Sequence, residues 1–160
     1  MRTIPIKNRE QIDEIIKACK TCFVAMSENN IPYVLPMNFA LDGDYIILHS
    51  AQTGRMWETL KKNPRVCINW TVGEELIWQD VRVGCSYGIK SKSVIVEGNV
   101  EFVDDYDEKY LLLQKLMGQY SERNFKFGKP SVVNVGILKV KIQKINAKEF
   151  GVKSTSARAV

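Results

Sequence analysis

Between Thr21 and His49 the chain reverses direction twice. Thr21-Cys-Phe-Val-Ala-Met26 has the composition of a strand and ends in Ser27-Glu-Asn-Asn30, a turn-prone cluster. The return run, Pro32-Tyr-Val-Leu-Pro-Met-Asn-Phe39, leads to Asp42-Gly43, a tight-turn pair, and then to Tyr45-Ile-Ile-Leu-His49. Reversals this short join antiparallel neighbours, because a parallel neighbour needs a crossover of roughly a dozen residues or more. An antiparallel meander is therefore expected, and the remaining elements have to be compatible with it.

Before the meander, Asn8 stands three residues ahead of Gln11 as a helix N-cap, and Ile12, Ile15, Ile16 and Cys19 share one face of a helix running to about residue 19. After it, Met56, Trp57 and Leu60 fall at helical spacing between Gly54 and the terminating Asn63-Pro64. Arg65-Val-Cys-Ile-Asn-Trp70 and the stretch from Ser91 to Val103 read as strands, with residues 72–90 lacking a clear period. Asp105 with Glu108 opens a second long helix carrying Tyr106, Tyr110, Leu113, Leu116, Met117 and Tyr120 broadly on one face, and 121–131 reads as a basic loop. From Val135 to Ile145, Leu138, Val140 and Ile142 alternate with Lys139, Lys141 and Gln143, as in a half-buried strand. About six strands with helices set between them predict an α+β, mainly β, antiparallel barrel. One domain is expected over residues 1–150, with 151–160 as a flexible tail.

At 160 residues, with 45% apolar and 26% charged, the chain has the composition of a globular domain that needs no disulfide or structural metal. It contains no apolar run near the ~20 residues of a membrane span and no signal-peptide pattern, so a cytoplasmic protein without membrane contact is expected. The net charge of +5 suits an anionic ligand. Much of the excess lies late in the chain, where Lys139, Lys141, Lys144, Lys148, Lys153 and Arg158 face only Glu149. No aromatic platform interleaves these cations, so edge protection and solubility explain them better than nucleic-acid binding.

Cys19-Lys-Thr-Cys22 has the spacing of a redox pair or half a zinc site, but it follows a helix and enters a strand. Cys67 and Cys85 stand apart and His49 is the only histidine, so no metal site is expected and buried small side chains are the simpler reading. A lone histidine and the absence of a G-x-S-x-G elbow argue against a serine hydrolase. Asp104-Asp105 and Glu74-Glu75 read as caps or solvated turns. No catalytic residue is assigned, and His49 is expected to form a hydrogen-bonding pocket wall rather than to act as acid or base. Trp57, Trp70 and Trp78 are expected in the core or at an interface.

The chemistry concentrates in His49-Ser-Ala-Gln-Thr-Gly-Arg-Met-Trp57, where a strand ends in small residues and a helix begins at once. Unpaired N–H groups and a partial positive charge at a helix start favour a phosphate. Ser50 and Thr53 offer hydroxyls, Gly54 lets the backbone approach, and the Arg55 guanidinium can fork onto phosphate oxygens.

Pro32-Tyr-Val-Leu-Pro-Met-Asn-Phe39, His49-Ser-Ala with Gly54-Arg55, Asn63-Pro-Arg-Val66 and Lys92-Ser-Val-Ile-Val-Glu-Gly98 occur in a distinctive order. Together they resemble the flavin-binding proteins related to pyridoxamine 5'-phosphate oxidase, in particular their nitroimidazole-resistance-like branch. The resemblance implies a six-stranded antiparallel split β-barrel with flanking helices, forming a homodimer with flavin mononucleotide (FMN) in clefts at the subunit interface. It further implies that Pro36, Met37 and Asn38 lie along the flavin ring and that His49, Ser50 and Ala51 flank the ribityl chain and phosphate. Gly54, Arg55 and Met56 would close the phosphate end, with Ser93 and Val94 meeting the cofactor from a later strand. Many relatives carry a basic residue where this chain has Met56, which shifts the phosphate onto Arg55 and the backbone. The implied activity is an FMN-dependent oxidoreductase reducing nitro-aromatic or similar small molecules with NAD(P)H. The alternative is a carrier or sensor that binds flavin, deazaflavin or haem without turnover.

Overall fold

A computed structural model describes residues 1–152. Its elements are β1 (Arg2–Ile6), α1 (Arg9–Ala18), β2 (Cys22–Glu28), β3 (Ile31–Met37), β4 (Phe39–Asp42), β5 (Tyr45–Ala51), α2 (Arg55–Lys62), β6 (Arg65–Ile77), β7 (Gly88–Val103), α3 (Tyr106–Gly118), α4 (Lys129–Asn134) and β8 (Val135–Val152). The strands form one antiparallel sheet in the order β3-β2-β6-β7-β8-β5-β4, with β1 added along β8. The ends of that path, β3 and β4, do not pair with each other, so the barrel stays split.

Local chemistry accounts for most of the boundaries. The Asn8 side chain accepts the Gln11 N–H at 2.9 Å and Asp105 accepts that of Glu108 at 2.8 Å, each capping its helix. Asn29 and Asn30 both have positive φ, 51° and 62°, which suits the two-residue turn from β2 into β3. The run Ile46-Ile-Leu48 is continuously apolar because both faces of β5 are covered. Ile46 and Leu48 enter the barrel core with Trp70 and Val94, whereas Ile47 packs with Leu112, Leu116 and Val132 beneath α3 and α4.

Several expectations need correction. Eight strands form rather than six. β1 is a short edge strand containing Pro5, which hides its signal. The run Pro32–Phe39 is two strands: β3 pairs with β2, β4 pairs with β5, and Asn38 is the break between them. The two ends of the segment 72–90 extend the β6–β7 ribbon past a bulge between Val72 and Glu75, where Gly73 takes φ 71°, and the residues between Ile77 and Gly88 form the connecting loop. The basic loop is cut short by α4, which starts at Lys129 with Pro130 in its first turn. Gly151 and Val152 complete β8, so the last strand runs into the expected tail, and 153–160 lie outside the described residues.

Candidate functional site

β5 ends at Ala51, and four residues later α2 begins at Arg55. Gly54 sits at the N-cap with φ 103° and ψ 176°, a conformation that side chains rarely adopt. No side chain caps this helix start, so its first N–H groups have no side-chain acceptor. The Arg55 guanidinium is exposed and lies over the Tyr33 ring, 4.3 Å from its centroid. Among the described residues it makes no ion pair, whereas Arg9, Lys62, Lys115 and Lys139 each hold a carboxylate. Glu28 lines the same hollow as Arg55 but is taken up by Lys62, so a cation without an ion pair stands at a helix start that no side chain caps, an arrangement whose chemistry favours an anion.

The loop between strand and helix is anchored on both sides. Trp57 Nε1 donates to Ser50 Oγ at 2.8 Å, and the Ser50 hydroxyl donates to the Ala51 carbonyl at 2.7 Å. Gln52 Nε2 donates to the carbonyls of Val133 and Val135 at 2.6 and 3.0 Å, tying the loop to the end of α4. His49 is half-buried beside Ile137 in the β5–β8 register, and burial pushes its pKa below the ordinary histidine value, leaving a mainly neutral imidazole at pH 7.

Asn38 is exposed at the β3–β4 break, and its amide donates to the Lys20 carbonyl at 3.3 Å. The Tyr120 hydroxyl braces the same break. It accepts the Phe39 N–H at 2.8 Å and lies 3.0 Å from the carbonyls of both Lys20 and Phe39. Pro36 is exposed, paired across from Phe23, which is also exposed.

The structure thus gathers His49, Ser50, Ala51, Gly54 and Arg55 at one strand-to-helix junction, with β3 contributing Tyr33 beneath Arg55. The side chains of Met37, Met56 and Val94, expected beside the cofactor, are buried in the core, so from these positions a ligand would meet mainly backbone. Val94 is buried because even positions of β7 face inward, while Ser93 faces outward with β6 and β2 lying between it and β3. The Ser50 hydroxyl, expected to donate to a phosphate, gives its proton to the carbonyl of Ala51. Tyr33, Gln52, Gly136 and Tyr120 were not assigned roles from sequence. Tyr33 lies inside the Pro32–Phe39 motif and Gln52 inside the His49–Trp57 stretch, but the partners of all four are distant in the chain, so no local pattern gives their roles.

Of the remaining sequence candidates, most resolve as packing, but Cys67 and Cys85, expected to be buried, are exposed. Cys19 and Cys22 are buried, and burial pushes both thiols up, Cys22 to about 12. Trp70 lies edge-on to Phe39 at 5.3 Å and Trp57 packs on Phe102 at 4.7 Å, whereas Trp78 is exposed and stacks on Tyr87. No helix among the described residues is long and apolar enough to cross a membrane.

Comparison with known proteins places this geometry among relatives. A family model described as pyridoxamine 5'-phosphate oxidase matches residues 8–149. No curated protein matches. A solved candidate 5-nitroimidazole antibiotic resistance protein from Bacteroides thetaiotaomicron is 36% identical, with 92% of this chain and 87% of that one covered and a TM-score of 0.84. A flavocytochrome from Azotobacter vinelandii is 18% identical over 96% of this chain and 72% of that one, with a TM-score of 0.81. An FAD and heme binding protein from Mycobacterium smegmatis is 16% identical over 94% and 75%, with a TM-score of 0.84. At those lower identities the likeness is one of fold.

Proposed function

Since the chain belongs to the pyridoxamine 5'-phosphate oxidase family, we propose that it binds FMN at the junction of β5 and α2 and works as a flavin-dependent oxidoreductase on small, electron-poor molecules such as nitro-aromatics. The observation that carries this reading is Arg55, a cation held over Tyr33 at an uncapped helix start and without a carboxylate partner among the described residues. A flavin nucleotide needs an anion site, an apolar surface for a flat ring and polar groups near the ring edge. Arg55 and the α2 N–H groups fit the first requirement. Pro36 beside Phe23 fits the second, and Asn38, with part of its amide free, fits the third. The bound flavin supplies hydride acceptance from NAD(P)H and donation to substrate. The protein's own part is to hold the phosphate at Arg55, to keep a neutral imidazole at His49 along the wall, and to keep the β3–β4 break rigid.

A second copy of the chain completes this site. Phe23, Val34 and Ile95 face outward on β2, β3 and β7 and are 52, 58 and 38% exposed, an apolar surface suited to burial against its own copy. Ser93 lies on the same outward side of β7 as Ile95, so the partner's copy of that surface would reach the cofactor.

The test compares FMN with riboflavin. Purified protein is expected to carry or take up FMN with a visible flavin spectrum, and Arg55→Ala should weaken FMN far more than riboflavin. Equal weakening of both would overturn the phosphate assignment. Reduction of the bound flavin by NADH or NADPH in stopped flow, followed by reoxidation with a nitro-aromatic, is the expected turnover. A flavin that neither donor reduces would make the protein a carrier.

A further inference from the structure

We propose that Trp57 is the positioning residue of the phosphate loop, acting through Ser50, and that Ser50 orders the loop instead of binding phosphate; this rests on the FMN reading above. A hydroxyl has one proton to give. That of Ser50 goes to the Ala51 carbonyl at 2.7 Å, while its oxygen accepts from Trp57 Nε1 at 2.8 Å. Ser50 therefore has no donor left for an anion, and its remaining lone pair would face one unfavourably.

Trp57 is well placed to set this geometry because it has little freedom. It is 7% exposed, its ring packs on Phe102 at 4.7 Å, and it lies flush against Gly136. A Cβ at Gly136 would come within 2.2 Å of Trp57 Cζ2, so glycine is required for this approach. Gly136 is itself the register partner of Ser50 across β5 and β8. One indole thus bears on the strand end, on its paired neighbour and, two residues after Arg55, on the first turn of α2. The other side of the loop is held by Gln52 on the Val133 and Val135 carbonyls. Fixed at both sides, the loop presents its backbone N–H groups and Arg55 in one arrangement, and binding loses less entropy in ordering them.

The experiment measures the affinities of FMN and riboflavin, and hence the preference due to the phosphate, for wild type, Ser50→Ala, Trp57→Phe, the double variant and Ser50→Thr. Each of Ser50→Ala and Trp57→Phe is expected to lower the preference by roughly three- to tenfold, the equivalent of one net hydrogen bond, with riboflavin affinity unchanged. The double variant should be no worse than the poorer single one, because both remove the same bond. Ser50→Thr keeps the acceptor and should keep the preference. Should Trp57→Phe fail to fold, Ser50→Ala and Ser50→Thr test the same bond from its other end, and loss of preference in Ser50→Thr equal to that in Ser50→Ala would overturn the proposal. Additive losses, or a wild-type preference that every variant retains, would overturn it while leaving the flavin reading intact. A wild type that binds neither flavin would overturn that reading, and the proposal with it.

Discussion

Gly54 stands where a strand must stop and a helix start within a few residues, and its φ of 103° is what allows that turn. A Cβ there would meet nothing within 4 Å, so the constraint is in the backbone and not in the surroundings. Gly54→Ala is expected to lose about 1–3 kcal/mol of stability in urea unfolding, and an unchanged midpoint would show that the loop relaxes freely. His49, on the strand that leads into the same loop, is constrained by burial instead. That burial holds its pKa below the unfolded value of about 6.5. The contribution of His49 to stability is therefore fully present above that unfolded value and is lost as pH falls through the lower folded one. The melting temperature should begin to drop as pH falls below about 6.5, and His49→Gln should flatten that drop. An identical pH profile in the variant would assign the acid sensitivity to other groups.

Among the elements, the break between β3 and β4 matters most. These strands are consecutive in the chain yet stand at opposite ends of the sheet's hydrogen-bonded path, so the backbone at Asn38 joins edges that no ladder joins. Tyr120, beyond the end of α3, takes up the Phe39 N–H that the missing ladder leaves over. Tyr120→Phe should lower stability by about 1–3 kcal/mol in urea unfolding, because it strands a partly buried donor, and an effect under about 0.5 kcal/mol would mean that water replaces the hydroxyl. The helices α1 and α3 are legible in the sequence because the caps Asn8 and Asp105 and the apolar spacing of Ile12, Ile15 and Ile16 are local signals, whereas α4, six residues long and without a side-chain cap, is not. The break at Asn38 is not, since Leu35, Met37 and Phe39 read as one run until the sheet assigns them to different neighbours.

At the scale of the whole molecule, the outward apolar residues decide the next prediction. Val34→Lys with Ile95→Lys, neither of them assigned to the flavin surface, should give a monomer by size exclusion with light scattering, and should also lose FMN, because the site would lack its second copy. Retention of FMN by such a monomer would show that one chain suffices. The capped helices α1 and α3, the turn at Asn29-Asn30 and the cationic helix start at Arg55 were determined by the sequence alone, since each depends on residues a few positions apart. Tertiary structure decided that Tyr33 lies beneath Arg55, that Trp57 meets Ser50 and Gly136, and that Met37, Met56 and Val94 turn inward. Those outcomes depend on which strands pair and on which faces the core claims, and local periodicity carries no record of partners so far along the chain.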